Sequence, residues 1–79
     1  MKNIKISDFK RGDIVSIVEK DYSNTLEYEG TINTIFETEK YLRISGKDVP
    51  SDFRDVHISN ILEINIIGNA YENMKIKNI

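Results

Sequence analysis

His57 is the only imidazole in the chain, and Asp52 and Asp55 stand just upstream of it in SDFRDVH. An imidazole near a carboxylate can move a proton. General-base catalysis also needs a group that stabilises developing charge and a shielded pocket, and no residue pattern here signals either. The alternation Val56-His57-Ile58 makes His57 an outward-facing strand residue. A metal ion would need further ligands at a suitable spacing, and none follows. Asp48, Asp52 and Asp55 form no calcium loop either, because the regular odd-position oxygen ligands, the central glycine and the closing glutamate are missing. The glycines at positions 12, 30, 46 and 68 are too scattered to cradle a phosphate. No cofactor is implied, and the chain is expected not to be an enzyme.

Arg11-Gly12-Asp13 matches a tripeptide that some secreted proteins present to adhesion receptors. It also runs directly into the β-branched block Ile14-Val15-Ser16-Ile17-Val18, and that context favours a turn. Gly12 would take a backbone conformation other residues resist, and Asp13 would bond a nearby amide.

Two groups of residues could form a binding surface. Tyr22 and Tyr28 stand among Asp21, Glu27 and Glu29, while Phe53 follows Pro50 in a second polar stretch. Loop aromatics make interface anchors and carboxylates steer a basic partner, so Tyr22, Glu27, Tyr28, Glu29 and Phe53 are the candidate protein-binding set. The alternative is a nucleic-acid surface of Lys10, Arg11, Lys40, Arg43, Lys47 and Arg54 with Tyr41 and Phe53 for base stacking. Against it stand the net charge of −2 and the interspersed Glu37, Glu39, Asp48, Asp52 and Asp55.

The elements that would position these residues are strands. Fourteen isoleucines, with four valines and four threonines, suit a pleated, half-buried surface. The first strand follows Asp13. The polar segment EKDYSNTLEYEG then reads as a long hairpin connection whose flanks can extend both strands, with turn chemistry from Asp21, Ser23 and Asn24. In Gly30-Thr31-Ile32-Asn33-Thr34-Ile35-Phe36, the residues Ile32, Thr34 and Phe36 share one face, and Gly30 offers a bulge or bend. Glu37 to Lys40 make a turn, and Tyr41-Leu42-Arg43-Ile44 alternates with Leu42 and Ile44 inward. Pro50 centres a loop of about eight residues. Val56-His57-Ile58 resumes the alternation, a single 3₁₀ turn follows near Ser59-Asn60, and Leu62 to Ile66 form the last strand. The expected core is Val15, Ile17, Ile32, Leu42, Ile44, Val56, Ile58, Leu62 and Ile64.

The stretches FKRGDIVSI, YEGTI and VHISNILEI resemble, in that order, the turn-and-strand opening, the curved second strand, and the 3₁₀ turn with closing strand of the SH3-like small β-barrel. The resemblance covers residues 6–67 and implies an all-β, five-stranded barrel. Residues 1–67 would be the domain and 68–79 a C-terminal tail. A five-stranded OB barrel competes, but normally uses more residues and a helix between its third and fourth strands. SH3-like folds host unrelated functions, so no activity follows. The chain has no tryptophan, which argues against the proline-helix recognition of signalling SH3 modules.

Composition sets the remaining bounds. Without cysteine, a chain of 79 residues has no disulfide staple and relies on packing or oligomerisation. The opening MKNIKISDFK has no apolar core of the kind a secretory leader needs, and no apolar run approaches membrane-spanning length, so the chain is expected in the cytoplasm, away from membranes. Lys2, Lys5, Lys10 and Arg11 against Asp8 leave residues 1–12 at +3, while Glu19, Asp21, Glu27 and Glu29 against Lys20 leave residues 19–30 at −3. Abundant Ile, Asn and Lys, all encoded by AT-rich codons, point to an AT-rich bacterial, phage or mobile-element genome. The expected role is a small protein-binding module, with RNA or DNA binding as the alternative.

Overall fold

The β-branched block after Gly12 becomes an interior strand of the sheet, paired on both sides. The computed structural model describes residues 4–71, and its strands are β1 Asp13–Asp21, β2 Asn24–Phe36, β3 Tyr41–Gly46, β4 Phe53–His57 and β5 Ile61–Asn69. All pair antiparallel in the order β4-β3-β2-β1-β5. The fold is therefore all-β and five-stranded, as expected, but the sheet is open. Among the described residues β4 pairs only with β3 and β5 only with β1, so the two form its edges.

β2 makes the sheet curl. Its first part, Asn24 to Thr31, pairs with β1, and its second, Gly30 to Phe36, pairs with β3. Where the two meet, a side chain on Gly30 would collide with the Ile44 side chain and the Ser45 carbonyl oxygen, so only glycine lets β3 approach this closely. The irregularity itself falls a little later, between Ile32 and Thr34. That extra residue changes the facing expected from strict alternation: Ile35 joins Ile32 toward the core, while Thr34 and Phe36 share the outer face with Arg43 and Tyr41.

The core is Val15, Ile17, Ile32, Leu42, Ile44, Val56 and Ile61, with Ile4, Ile6, Phe9, Tyr28, Ile35, Ile58 and Ile64 partly buried against it. Each fully buried aliphatic side chain contributes about 1.5–3 kcal/mol by leaving water. The expectation that Leu62 faces inward is corrected, because Leu62 is half-exposed and Ile61 takes the core position. A register shift between Val18 and Glu19 explains the exchange: Val18 pairs with Glu63 but Glu19 with Ile61, leaving Leu62 as the extra residue.

Strand pairing also reaches further than the expected cores of the strands at two places. The segment after β1 is a continuous hairpin in which Glu19 pairs with Leu26, Lys20 with Thr25 and Asp21 with Asn24. Its turn is only Tyr22-Ser23, with Tyr22 at φ 57°. The expected hairpin connection is thus a two-stranded ribbon, and from Lys20 to Thr25 its polar residues reflect solvent on both faces. At the other end, β5 continues through Asn69, and Ala70 donates its backbone N–H to the Gly12 carbonyl at 2.8 Å. The expected 3₁₀ turn is present at Ile58–Asn60, and another, Ile6–Asp8, precedes β1. Of the expected tail, residues 72–79 lie outside the described residues.

Candidate functional site

Inward alternation along β1 runs Val15, Ile17, Glu19, so a carboxylate occupies the last core-facing position of the strand. Glu19 is buried and satisfied from two sides. From β4, Arg54 donates Nε to Glu19 Oε1 at 3.0 Å and Nη2 to Oε2 at 3.1 Å. From β2, the Tyr28 hydroxyl donates to Oε1 at 2.7 Å. Arg54 opposes Ile44 in the β3–β4 ladder and so shares the inner face, and its guanidinium carbon lies 5.5 Å from the centre of the Tyr28 ring. Burial, then the hydrogen bond to Glu19 and that residue's negative charge, raise the Tyr28 pKa well above the ordinary phenol value. The hydrogen bond to Glu19 raises that of Arg54. The cluster closes one end of the core with a neutralised, preorganised ion pair.

Beside this cluster lies a cleft of about 230 Å³, open to solvent and walled by Leu26, Tyr28, Ile44, Phe53 and Arg54. Glu29 and Asp52 stand at its margin, and Glu29 pairs with Lys47 at 3.3 Å. Phe53 is 55% exposed. The loop before β4 is held by Gly46 N–H to the Asp52 carbonyl at 2.8 Å, Asp52 N–H to the Val49 carbonyl at 2.9 Å, and Ser45 Oγ to the Pro50 carbonyl at 2.7 Å. These bonds fix where Phe53 enters β4, giving a shaped apolar notch with a charged margin, suited to one or two side chains of an extended segment.

Of the expected protein-binding residues, Tyr28, Glu29 and Phe53 meet at this cleft. Tyr22 and Glu27 do not line it; Tyr22 is an almost fully exposed residue at the tip of the β1–β2 ribbon. The basic residues are divided. Arg54 faces inward to Glu19 and Lys47 is paired with Glu29. Arg11 donates Nε to the Asn33 carbonyl at 2.9 Å, and Lys40 sits in the β2–β3 turn at φ 60°. Lys10 donates its backbone N–H to Asp13. On the outer face, Arg43 grips Asp55 through Nε at 2.8 Å and Nη2 at 3.1 Å while lying over Phe36, which stacks on Tyr41 with centroids 4.2 Å apart.

Two smaller features settle as local structure. Gly12 has φ 90°, and a side chain there would strike the Tyr71 ring. Asp13 is 3% exposed and accepts hydrogen bonds from Lys10 N–H and from Asn69 Nδ2, both at 3.0 Å. The tripeptide is the turn into β1, and its aspartate is not displayed. His57 Nδ1 accepts the Ser59 N–H at 3.1 Å, so the imidazole caps the second 3₁₀ turn. Among the described residues no cluster of His, Cys, Asp and Glu is arranged to hold a metal.

Glu19, Leu26 and Phe36 were not singled out by sequence. For Glu19 the signal existed: it continues the Val15, Ile17 alternation and so places a carboxylate where a core side chain belongs. No protein-family model matches the sequence, and neither curated proteins nor solved structures offer a match.

Proposed function

We propose that this chain is a small, non-enzymatic binding module on an SH3-like type of β-barrel, and that it takes an extended segment of a partner protein in the Tyr28–Phe53 cleft. The observation that carries this reading is the cleft itself: an apolar floor, an exposed aromatic and margin carboxylates on a rigid sheet. The barrel assignment is supported by five antiparallel strands, the curl at Gly30 and the 3₁₀ turn between β4 and β5. Asp52 at the margin favours a segment that combines an apolar anchor with a basic residue. Abundant AT-rich-codon residues support a bacterial or phage origin, and with it a cytoplasmic, accessory role for a mobile element.

Nucleic-acid binding is the second reading, and the Arg43-Phe36-Tyr41 stack is what favours it. It ranks lower because Arg43, Lys47 and Arg54 each already have a carboxylate partner.

Selection of peptides from a random library on the immobilised protein tests the proposal. Enriched sequences should combine an apolar and a basic residue. Phe53→Ala should weaken them at least tenfold, about 1.4 kcal/mol, with the strand signal in circular dichroism retained. Peptides indifferent to Phe53→Ala would overturn the site. Micromolar RNA or DNA binding that falls steeply with salt and with Arg43→Ala would replace the reading altogether.

A further inference from the structure

The two edges of the sheet differ in kind. β4 is five residues long and carries Arg54, Asp55 and His57, the charged, short edge that resists pairing with other chains. β5 is nine residues long with a single charge, Glu63. Its Leu62 and Ile66 are each 50% exposed, and Ile67 is also exposed. Ile66 borders an open cleft of about 480 Å³ between β5 and the Ser7 to Lys10 segment. The register shifts fall at Leu62 and Ile67, so Glu63, Ile64, Asn65 and Ile66 pair regularly with Val18, Ile17, Ser16 and Val15. That regular stretch leaves alternate N–H and C=O groups directed away from β1, ready for another strand.

We infer that β5 is the site of self-association, pairing antiparallel with β5 of a second copy about a two-fold axis at Ile64. Strand geometry limits the choice of axis. Opposed residues in an antiparallel pair alternate between hydrogen-bonded and non-bonded types, so a two-fold must pass through a residue facing its own copy. An axis at Glu63 would oppose two carboxylates. An axis at Asn65 would set Glu63 against Ile67. The axis at Ile64 sets Ile64 against Ile64, Leu62 against Ile66 and Glu63 against Asn65. Apolar then meets apolar at Ile64 and between Leu62 and Ile66, and each carboxylate meets an amide donor. The inference stands apart from the cleft, which lies beside β2 and β4, not β5.

The chain has no cysteine, which makes the test direct. Sedimentation equilibrium should give twice the 9.2 kDa chain mass. The double variant Leu62→Lys, Ile66→Lys should return the single mass with its circular dichroism unchanged, since both side chains are half-exposed. Ile64→Cys should oxidise to a covalent dimer, because facing Cα atoms about 4.5–5.5 Å apart fall within disulfide reach. Glu63→Cys, displaced from its own copy by two residues, should not. A chain that stays monomeric to about 1 mM overturns the proposal, whether the edge is solvated or awaits a strand of another protein. So does a dimer that survives the two lysines, or one that cross-links through residue 63 in preference to residue 64.

Discussion

The molecule contains the same device twice. On the inner face, Arg54 forks onto Glu19 and lies over Tyr28; on the outer face, Arg43 forks onto Asp55 and lies over Phe36. The distances agree closely, at 3.0 and 3.1 Å for the first fork and 2.8 and 3.1 Å for the second. What differs is the carboxylate, since the Glu19 side chain is 8% exposed and that of Asp55 is 46% exposed. Equal geometry therefore does not mean equal energy. Water can replace Arg43 beside Asp55 at little cost, whereas nothing can replace Arg54 beside Glu19.

The largest expected effect follows from that asymmetry. Arg54→Ala leaves Glu19 charged, buried and held only by Tyr28, and should cost about 3 kcal/mol. This is the low end for a broken buried pair, because Arg54 is itself 44% exposed. In a domain this small, such a loss removes much of the stability, and urea unfolding at neutral pH measures it. Replacing both partners, Arg54→Met with Glu19→Met, should recover most of the loss. If the single and double variants unfold at the same midpoint, the penalty does not come from the stranded carboxylate.

Tyr28 supplies the next effect. Tyr28→Phe deletes a hydrogen bond to a buried carboxylate and should cost about 1.5 kcal/mol. The phenol's pKa is raised in the folded state, chiefly by burial, so the neutral form is the one that folding favours. Its contribution is complete below the unfolded value near 10 and is lost as pH rises above it, because the unfolded chain releases the proton first. The wild-type chain should therefore lose stability above about pH 10. Tyr28→Phe, though weaker at neutral pH, should show a flatter alkaline limb. Ultraviolet titration should find one of the four tyrosines ionising only as the fold is lost.

Much of this device was legible in the sequence, but not its pairing. Alternation alone placed Val15, Ile17, Ile32, Leu42, Ile44 and Val56 inward, and the turn at Gly12-Asp13 followed from glycine and aspartate chemistry. The same reasoning made EKDYSNTLEYEG a long hairpin connection without fixing how far its flanks extend the strands, because polar residues on an exposed hairpin ribbon and polar residues in a loop leave the same trace. It also misplaced Leu62, since the extra residue interrupts the alternation there, hands the core position to Ile61 and carries no composition signal of its own, while Ile64 beyond it faces inward as expected. The forks lay further out of reach. Glu19 and Arg54 are 35 residues apart, and Arg43 and Arg54 look alike in sequence; only the register, Ile44 opposite Arg54 and Arg43 opposite Asp55, sends one inward and the other outward.

The smallest expected effect belongs to the outer fork. The hydrogen bonds from Arg43 hold the Asp55 carboxyl below the usual carboxylate range, and the same bonds raise the Arg43 pKa. A depressed folded pKa contributes stability above the unfolded value near 3.9 and loses it as pH falls through the folded value, so the pH dependence is confined to acid solution, and exposure of both partners keeps the neutral-pH contribution small. Arg43→Ala should thus leave the neutral-pH urea midpoint within measurement error while moving the Asp55 titration, followed by carboxyl carbon nuclear magnetic resonance, back up toward the ordinary value. Added salt should move the wild-type titration in the same direction, since both partners are open to solvent. A neutral-pH loss in Arg43→Ala as large as that in Arg54→Ala would show that exposure of the carboxylate is not what separates the two forks. The stack of Phe36 on Tyr41 beneath Arg43 would then be the element to examine, through Phe36→Leu.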